Sequence, residues 1–147
     1  MSSLYRFAMF SNNKIIYPLV GFLLLGGILL APESAQADHA HCSDIHAAAF
    51  MDEPGELSLL LRHGVDLNCR DNLHQTPLIT ATDGASLGIV KMLLAMNVAV
   101  NARDQVGETA LAKARQKLAF FDMEGGEGYR NLYLEMITLL ERAGAVE

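Results

Sequence analysis

The sequence predicts an all-α solenoid of about three helix-turn-helix repeats, joined by β-hairpin-like fingers and preceded by an N-terminal signal segment. Three observations carry this. The 147-residue chain aligns with itself at an offset of 33 residues; residues 15 to 31 lack any charge; and the remainder mixes apolar and polar residues with no long low-complexity tract. A fixed period in this range marks units that bury their apolar faces only against their neighbours. Charged residues make up 19% and aromatics 7%, enough for the chain to order most of its length. The formal charge of −6, with no basic cluster, argues against a nucleic-acid surface, because phosphate binding draws its affinity from concentrated Lys and Arg.

The first element is the apolar stretch. Arg6 and Lys14 are the only charges before Ile15 to Ala31, giving a positive n-region followed by an h-region. Ser34-Ala35-Gln36-Ala37 then places small residues where a leader peptidase reads, so residues 1–37 are expected to be an export signal cleaved after Ala37. The alternative is an uncleaved anchor in the inner membrane, facing the periplasm. Pro18, Gly21, Gly26 and Gly27 weaken that reading, because they interrupt a long helix. No cysteine ends the h-region to accept a lipid. The expected compartment is periplasmic or secreted, and residues 38–147 carry nine Lys and Arg against sixteen Asp and Glu.

The repeat is explicit in the residues. Ile45, Leu78 and Leu111 come into register, as do Ala48, Ala81 and Ala114. Leu60 meets Leu93, Asn68 meets Asn101, Arg70 meets Arg103, Asp71 meets Asp104 and Thr76 meets Thr109. In the middle unit, Gln75-Thr76-Pro77-Leu78 puts a hydroxyl at a helix cap and a proline in the first turn, where its missing N–H costs nothing. The first helix breaks at Asp83-Gly84. Leu87, Val90, Met92, Leu93 and Leu94 form the apolar stripe of a second helix, with Asn97 as its left-handed cap. Val98 to Gly107 is too short and polar for a helix and reads as a finger leading to the next unit.

These residues resemble the ankyrin repeat family. The match rests on Thr76-Pro77-Leu78, Val90, Leu93-Leu94 and Val100-Asn101-Ala102-Arg103-Asp104 in the middle unit, and on His46, Ala48-Ala49 and Leu60 to Asn68 in the first. Gly107-Glu108-Thr109-Ala110-Leu111 and Gly144-Ala145 bracket the third. The repeats run approximately over 42–71, 72–104 and 105–147. Ser43-Asp44 stands where the family has Thr-Pro, which suits an N-terminal cap. Asn97 to Gly144 is 47 residues rather than 33, so about 14 residues are inserted, around Leu118 to Tyr129. They are expected to lengthen both helices of the third unit around a Gly-rich loop at Glu124–Gly128, making a C-terminal cap.

The resemblance implies a rigid concave surface built from finger tips and first helices. Its contact positions fall on Phe50 and Met51; on Asn72, Leu73, Gln75, Asp83 and Gly84; and on Gln105, Val106, Glu108, Gln116 and Lys117. Phe50, Met51, Leu73 and Val106 offer apolar anchors of the kind interfaces use, unless the N-terminal segment covers the first two. The resemblance also brings Cys42 and Cys69 to one side of the first repeat, as a disulfide or as two free thiols. A bridge over this separation would contribute about 3.5 kcal/mol. His46 takes a structural role between repeats by its family position.

Catalytic signals are lacking. Ser43, Ser58 and Ser86 sit in no nucleophile elbow, and Gly125-Gly126-Glu127-Gly128 lacks the lysine and hydroxyl of a phosphate loop. Asp66, Asp71 and Asp104 recur with the repeat and are assigned to turns. The expected function is an exported, monomeric protein-binding module with an unidentified protein partner, no cofactor, no nucleic acid and no membrane contact after cleavage. The alternative is a copper- or zinc-binding envelope protein using His39, His41 and Cys42, ligand types that suit those ions.

Overall fold

The computed structural model describes residues 34–124 and 126–147. Residues 1–33, which hold the uncharged stretch read as a signal or anchor, lie outside them. Among the described residues six helices follow one another: α1 (Ser34–Phe50), α2 (Pro54–Arg62), α3 (Pro77–Asp83), α4 (Leu87–Leu94), α5 (Ala110–Glu124) and α6 (Glu127–Arg142). They pair as hairpins, α1 with α2, α3 with α4 and α5 with α6, and stack in two layers, α1-α3-α5 and α2-α4-α6. Among the described residues there is no strand, so the fingers between hairpins are turns rather than β-ladders. None of these helices is long and apolar enough to cross a membrane.

The register positions found in the sequence are the core. Ile45, Leu78 and Leu111, Ala48, Ala81 and Ala114, and Leu60 and Leu93 are all buried. The alanines let helices of the first layer approach closely, while Leu57, Leu60, Ile89, Val90, Leu93, Tyr133, Met136 and Leu140 fill the space between layers. Each hairpin therefore completes its apolar interior only with the neighbouring one.

Residues that recur in the sequence also recur in what they hold. Asn68 Oδ1 accepts from the Ala99 N–H at 2.8 Å, and Asn101 Oδ1 accepts from the Val146 N–H at 2.8 Å. Arg70 donates to the His74 carbonyl at 2.9 Å within its own finger and to the Arg103 carbonyl at 2.7 Å in the next; Arg103 repeats the first of these on Gly107. Asp71 Oδ1 accepts from the Leu73 and Gln75 amides, and Asp104 Oδ1 from those of Val106 and Glu108. These carboxylates close the finger turns, as expected of them. Left-handed backbone also keeps the period: Asp52 and Ala85 share one place, Gly64 and Asn97 another, His74 and Gly107 a third.

Three local features add to the sequence reading. α1 begins at Ser34, so residues 38–42 are helical. Neither Pro nor Gly interrupts this alanine-rich segment. Ser34 to Ala37, read as the peptidase site, lie in its opening turn. Thr76 has the extended backbone of a cap, but its hydroxyl is buried and bonds neither of the amides two and three residues on. Its counterpart Thr109 does accept from the Ala112 N–H at 3.2 Å. The third unit carries the extra length as two long helices, of 15 and 16 residues against 7 and 8 in the middle unit.

Candidate functional site

The finger tips and the free side of the α1-α3-α5 layer make one surface. The fingers are held tip to tip: the Gln105 N–H donates to the Leu73 carbonyl at 3.0 Å. This bond sets Leu73 and Val106 side by side along the edge, 49% and 68% exposed. At the opposite end of the same helices, where α1 finishes, Phe50 and Met51 are 55% and 67% exposed. Four large apolar side chains thus flank a polar strip, against the usual tendency of such side chains to be buried. Asn72 and Gln105 lie on the exposed finger tips beside Leu73 and Val106.

The polar strip is internally bonded. Gln75 donates to Asp83 at 3.3 Å, and Lys117 lies 3.6 Å from the other Asp83 oxygen, which ties the end of the first finger to α3 and α5. Gln116 donates to Glu108. Lys113, which the sequence reading did not single out, sits between Asp104 at 3.1 Å and Glu108 at 2.8 Å, with little of its side chain exposed. No sequence signal marks it, because the matching position of the middle repeat is the uncharged Thr80. Burial alone would raise the Asp104 carboxyl, but hydrogen bonds from the Glu108 amide, Lys113 and the Val106 amide outweigh it and hold the group below its ordinary range. Lys113 and Gln116 lower Glu108 in the same way. Burial pulls Lys113 down, yet the Glu108 and Asp104 carboxylates more than reverse this and leave it raised. The surface therefore presents a fixed charge pattern rather than free ions.

Gly84 has a role the sequence reading did not give it. It ends α3 beneath Phe50, and a methyl group there would stand 2.9 Å from the Phe50 Cα and closer still to its carbonyl oxygen. It is a spacer between the first two repeats, half-exposed on its other side. The Phe50 carbonyl also accepts from Ser86 Oγ at 3.1 Å, which fixes the backbone that presents Phe50 and Met51.

Away from this surface, Cys42 and Cys69 are joined, their Cα atoms 5.9 Å apart. In that form Cys42 has no thiolate to share with His39 and His41, whose side chains lie outside the described residues. His46 follows Cys42 by one helical turn. Its Nδ1 is 2.7 Å from Thr80 Oγ1, a bond between repeats, and its ring is buried. Burial lowers its basicity, outweighing the opposing pull of Asp71 and of the Cys69 carbonyl. His63 and His74 are exposed.

Known proteins share this pattern. The family described as ankyrin repeats (3 copies) matches residues 28–120, ending within α5. Ankyrin repeat and SOCS box protein 6 of Homo sapiens is 33% identical over 103 residues, 69% of this chain and 23% of that protein. The mouse protein of the same name is 39% identical over 72 residues, 48% of this chain and 17% of its own length. Transient receptor potential cation channel subfamily A member 1 of Drosophila melanogaster is 30% identical over 91 residues, 58% of this chain and 7% of the channel subunit. In each case the match spans less than a quarter of the relative's own length. The repeat period, the two-layered hairpin stack and a family match covering more than half of the residues place this chain in the ankyrin repeat family.

Proposed function

We propose that the chain is an exported module that binds a protein partner through the finger-tip and α1-α3-α5 surface, and acts by binding alone. Ankyrin repeats are in general protein-interaction modules, and the observation that supports this surface is the exposure of Phe50, Met51, Leu73 and Val106 around a bonded polar strip. Apolar anchors beside a fixed polar pattern are what a specific interface uses: the anchors supply desolvation and the pattern supplies register. Because Gln75, Asp83, Lys117, Glu108 and Gln116 are already paired within the chain, a partner would gain most from the apolar positions and least from these polar ones. Export is supported by the positive n-region and the uncharged stretch before Ser34.

The test uses the full chain beside a Leu73→Glu/Val106→Glu variant shown by circular dichroism to keep its helices. A protein retained by the first, identified, purified and found by calorimetry to bind the variant at least about tenfold more weakly, supports the reading. Equal binding to both removes this surface from the function. Cell fractionation with N-terminal sequencing checks the export step: an exported form beginning at Asp38 is expected.

A further inference from the structure

The first repeat gathers three soft ligand atoms. Cys42 and His46 are four residues apart on α1, so both side chains lie on the same helical face. The link to Cys69 brings the root of the first finger to that face. The two sulfurs and a ring nitrogen of His46 lie within 4.8 Å of one another. Cys42 and His46 are buried and Cys69 is half-buried, so a bound ion would be largely shielded from water while keeping a path in past Cys69.

His46 supplies the second observation. It is only 7% exposed; its Nδ1 is engaged by Thr80 at 2.7 Å, while its buried Nε2 makes no well-formed hydrogen bond, the Cys69 carbonyl being a lesser influence on the ring than burial. A buried ring nitrogen without a partner costs free energy unless something fills its lone pair. When Nδ1 carries the ring proton and donates it to Thr80 Oγ1, Nε2 keeps its lone pair for a metal, and the outer hydrogen bond holds the ring in place.

We propose that when the Cys42–Cys69 bond is reduced, Cys42 Sγ, Cys69 Sγ and His46 Nε2 together bind one thiophilic cation, zinc(II) or copper(I). Two thiolates and an imidazole, with no carboxylate, are the ligand set these ions prefer. A dithiol reductant supplies two electrons and two protons to the S–S bond and is itself oxidised to a disulfide. The two thiols formed then release their protons to solvent as their sulfurs ligate the ion. The ion reconnects α1 to the finger and so replaces the cross-link that reduction removes. The site shares Cys42 with the His39/His41/Cys42 set but takes Cys69 and His46 in place of the two histidines, and it does not depend on the partner-binding surface.

The test titrates the full chain, phosphine-reduced under anaerobic conditions, with cobalt(II) as a spectroscopic probe, then with zinc(II) against a chromophoric chelator and with copper(I) against another. Expected are a thiolate-to-cobalt charge-transfer band, one equivalent of zinc or copper per reduced chain, and a zinc-induced rise in Tm that recovers most of the loss caused by reduction. The oxidised chain takes up under a tenth of an equivalent. Cys69→Ser, at a half-buried position, weakens binding at least about a hundredfold, and His46→Gln, which keeps a polar partner for Thr80, at least about tenfold. A His39→Ala/His41→Ala variant retains the full equivalent. The proposal is overturned if reduced chain that is folded by circular dichroism binds under a tenth of an equivalent of every ion. It is equally overturned if binding survives Cys69→Ser but disappears in the His39/His41 variant.

Discussion

In the first repeat, α1 is tied to the root of its finger by the covalent link between Cys42 and Cys69; in the third, α5 and α6 run about twice as long as their counterparts in the middle unit and lie against each other through side chains alone. Phe121 stacks on Tyr129 at 4.8 Å and on Tyr133 at 5.8 Å, and Tyr133 reaches back to donate to the Thr82 carbonyl at 3.2 Å. Arg115 pairs with Glu141 and Glu147, and Arg130 with Asp122, on the exposed faces. Such exposed pairs contribute little. A cross-link acts mainly by restricting the unfolded chain and needs no extra core, whereas longer helices add buried apolar area and must bear the entropy of ordering it. One family of hairpin is thus stabilised through the unfolded state in one unit and through the folded state in another.

The comparison breaks most visibly at its two strongest points. Tyr133→Ala should cost about 3–5 kcal/mol, since it removes a fully buried ring and its bond to Thr82. Replacing both Cys42 and Cys69 by serine should cost about 3.5 kcal/mol, from the length of the loop they close. Urea unfolding of the two variants distinguishes the mechanisms. The serine variant should leave a more expanded unfolded chain and so a steeper dependence on urea, while Tyr133→Ala should shift the midpoint at nearly constant slope. Equal slopes in both variants would contradict the division.

Acid should separate the repeats by a smaller margin. His46 is lowered from 6.5, so as pH falls through that value the unfolded chain takes up a proton that the folded chain refuses. Its contribution is present above about pH 6.5 and is lost progressively below it. Asp104 and Glu108 are lowered from 3.8 and 4.5, so their contribution is present above those values and is lost only at lower pH, as the folded carboxylates protonate. Lys113, raised above 10.5, contributes below that value and loses its part as pH rises through its folded pKa. The urea midpoint should therefore decline between pH 7 and 5 in the wild type and be nearly flat there in His46→Gln. Parallel declines would remove His46 as the cause.

The smallest expected effect lies in the fingers. His74 occupies in the first finger the left-handed position that Gly107 occupies in the second. His74→Gly should raise stability by about 1 kcal/mol, because only glycine adopts that backbone without steric cost, and should raise Tm by a few degrees. A lower Tm would show that the imidazole has a role beyond the turn.

The sequence disclosed most of what repeats and little of what occurs once. Asn68 and Asn101, Arg70 and Arg103, and Asp71 and Asp104 stood out because each does the same work 33 residues apart. Phe50, Met51, Leu73 and Val106, which the resemblance puts at contact positions, are all exposed. Lys113 was not legible, since its counterpart Thr80 serves another purpose by bonding His46. Gly84 was legible as a break but not as a spacer, because the atom it makes room for belongs to Phe50, 34 residues earlier. The approach of His46 to Cys69 was hidden for the same reason: it depends on how the finger folds back over α1, which no local pattern records.

The asparagine and arginine bonds between fingers have a consequence for how such a chain can change length. Asn68 offers its oxygen to the amide of Ala99, and Arg70 its guanidinium to the carbonyl of Arg103. Both are backbone groups that any 33-residue cassette in the same phase would supply. A whole unit duplicated between the second and third repeats would find a socket already formed on one side and would present the same socket on the other. A fragment of a unit would leave both unmatched. Growth and shrinkage by units of this stack are therefore quantised, and other lengths fit only inside a hairpin, away from the fingers, as the excess of the third unit does.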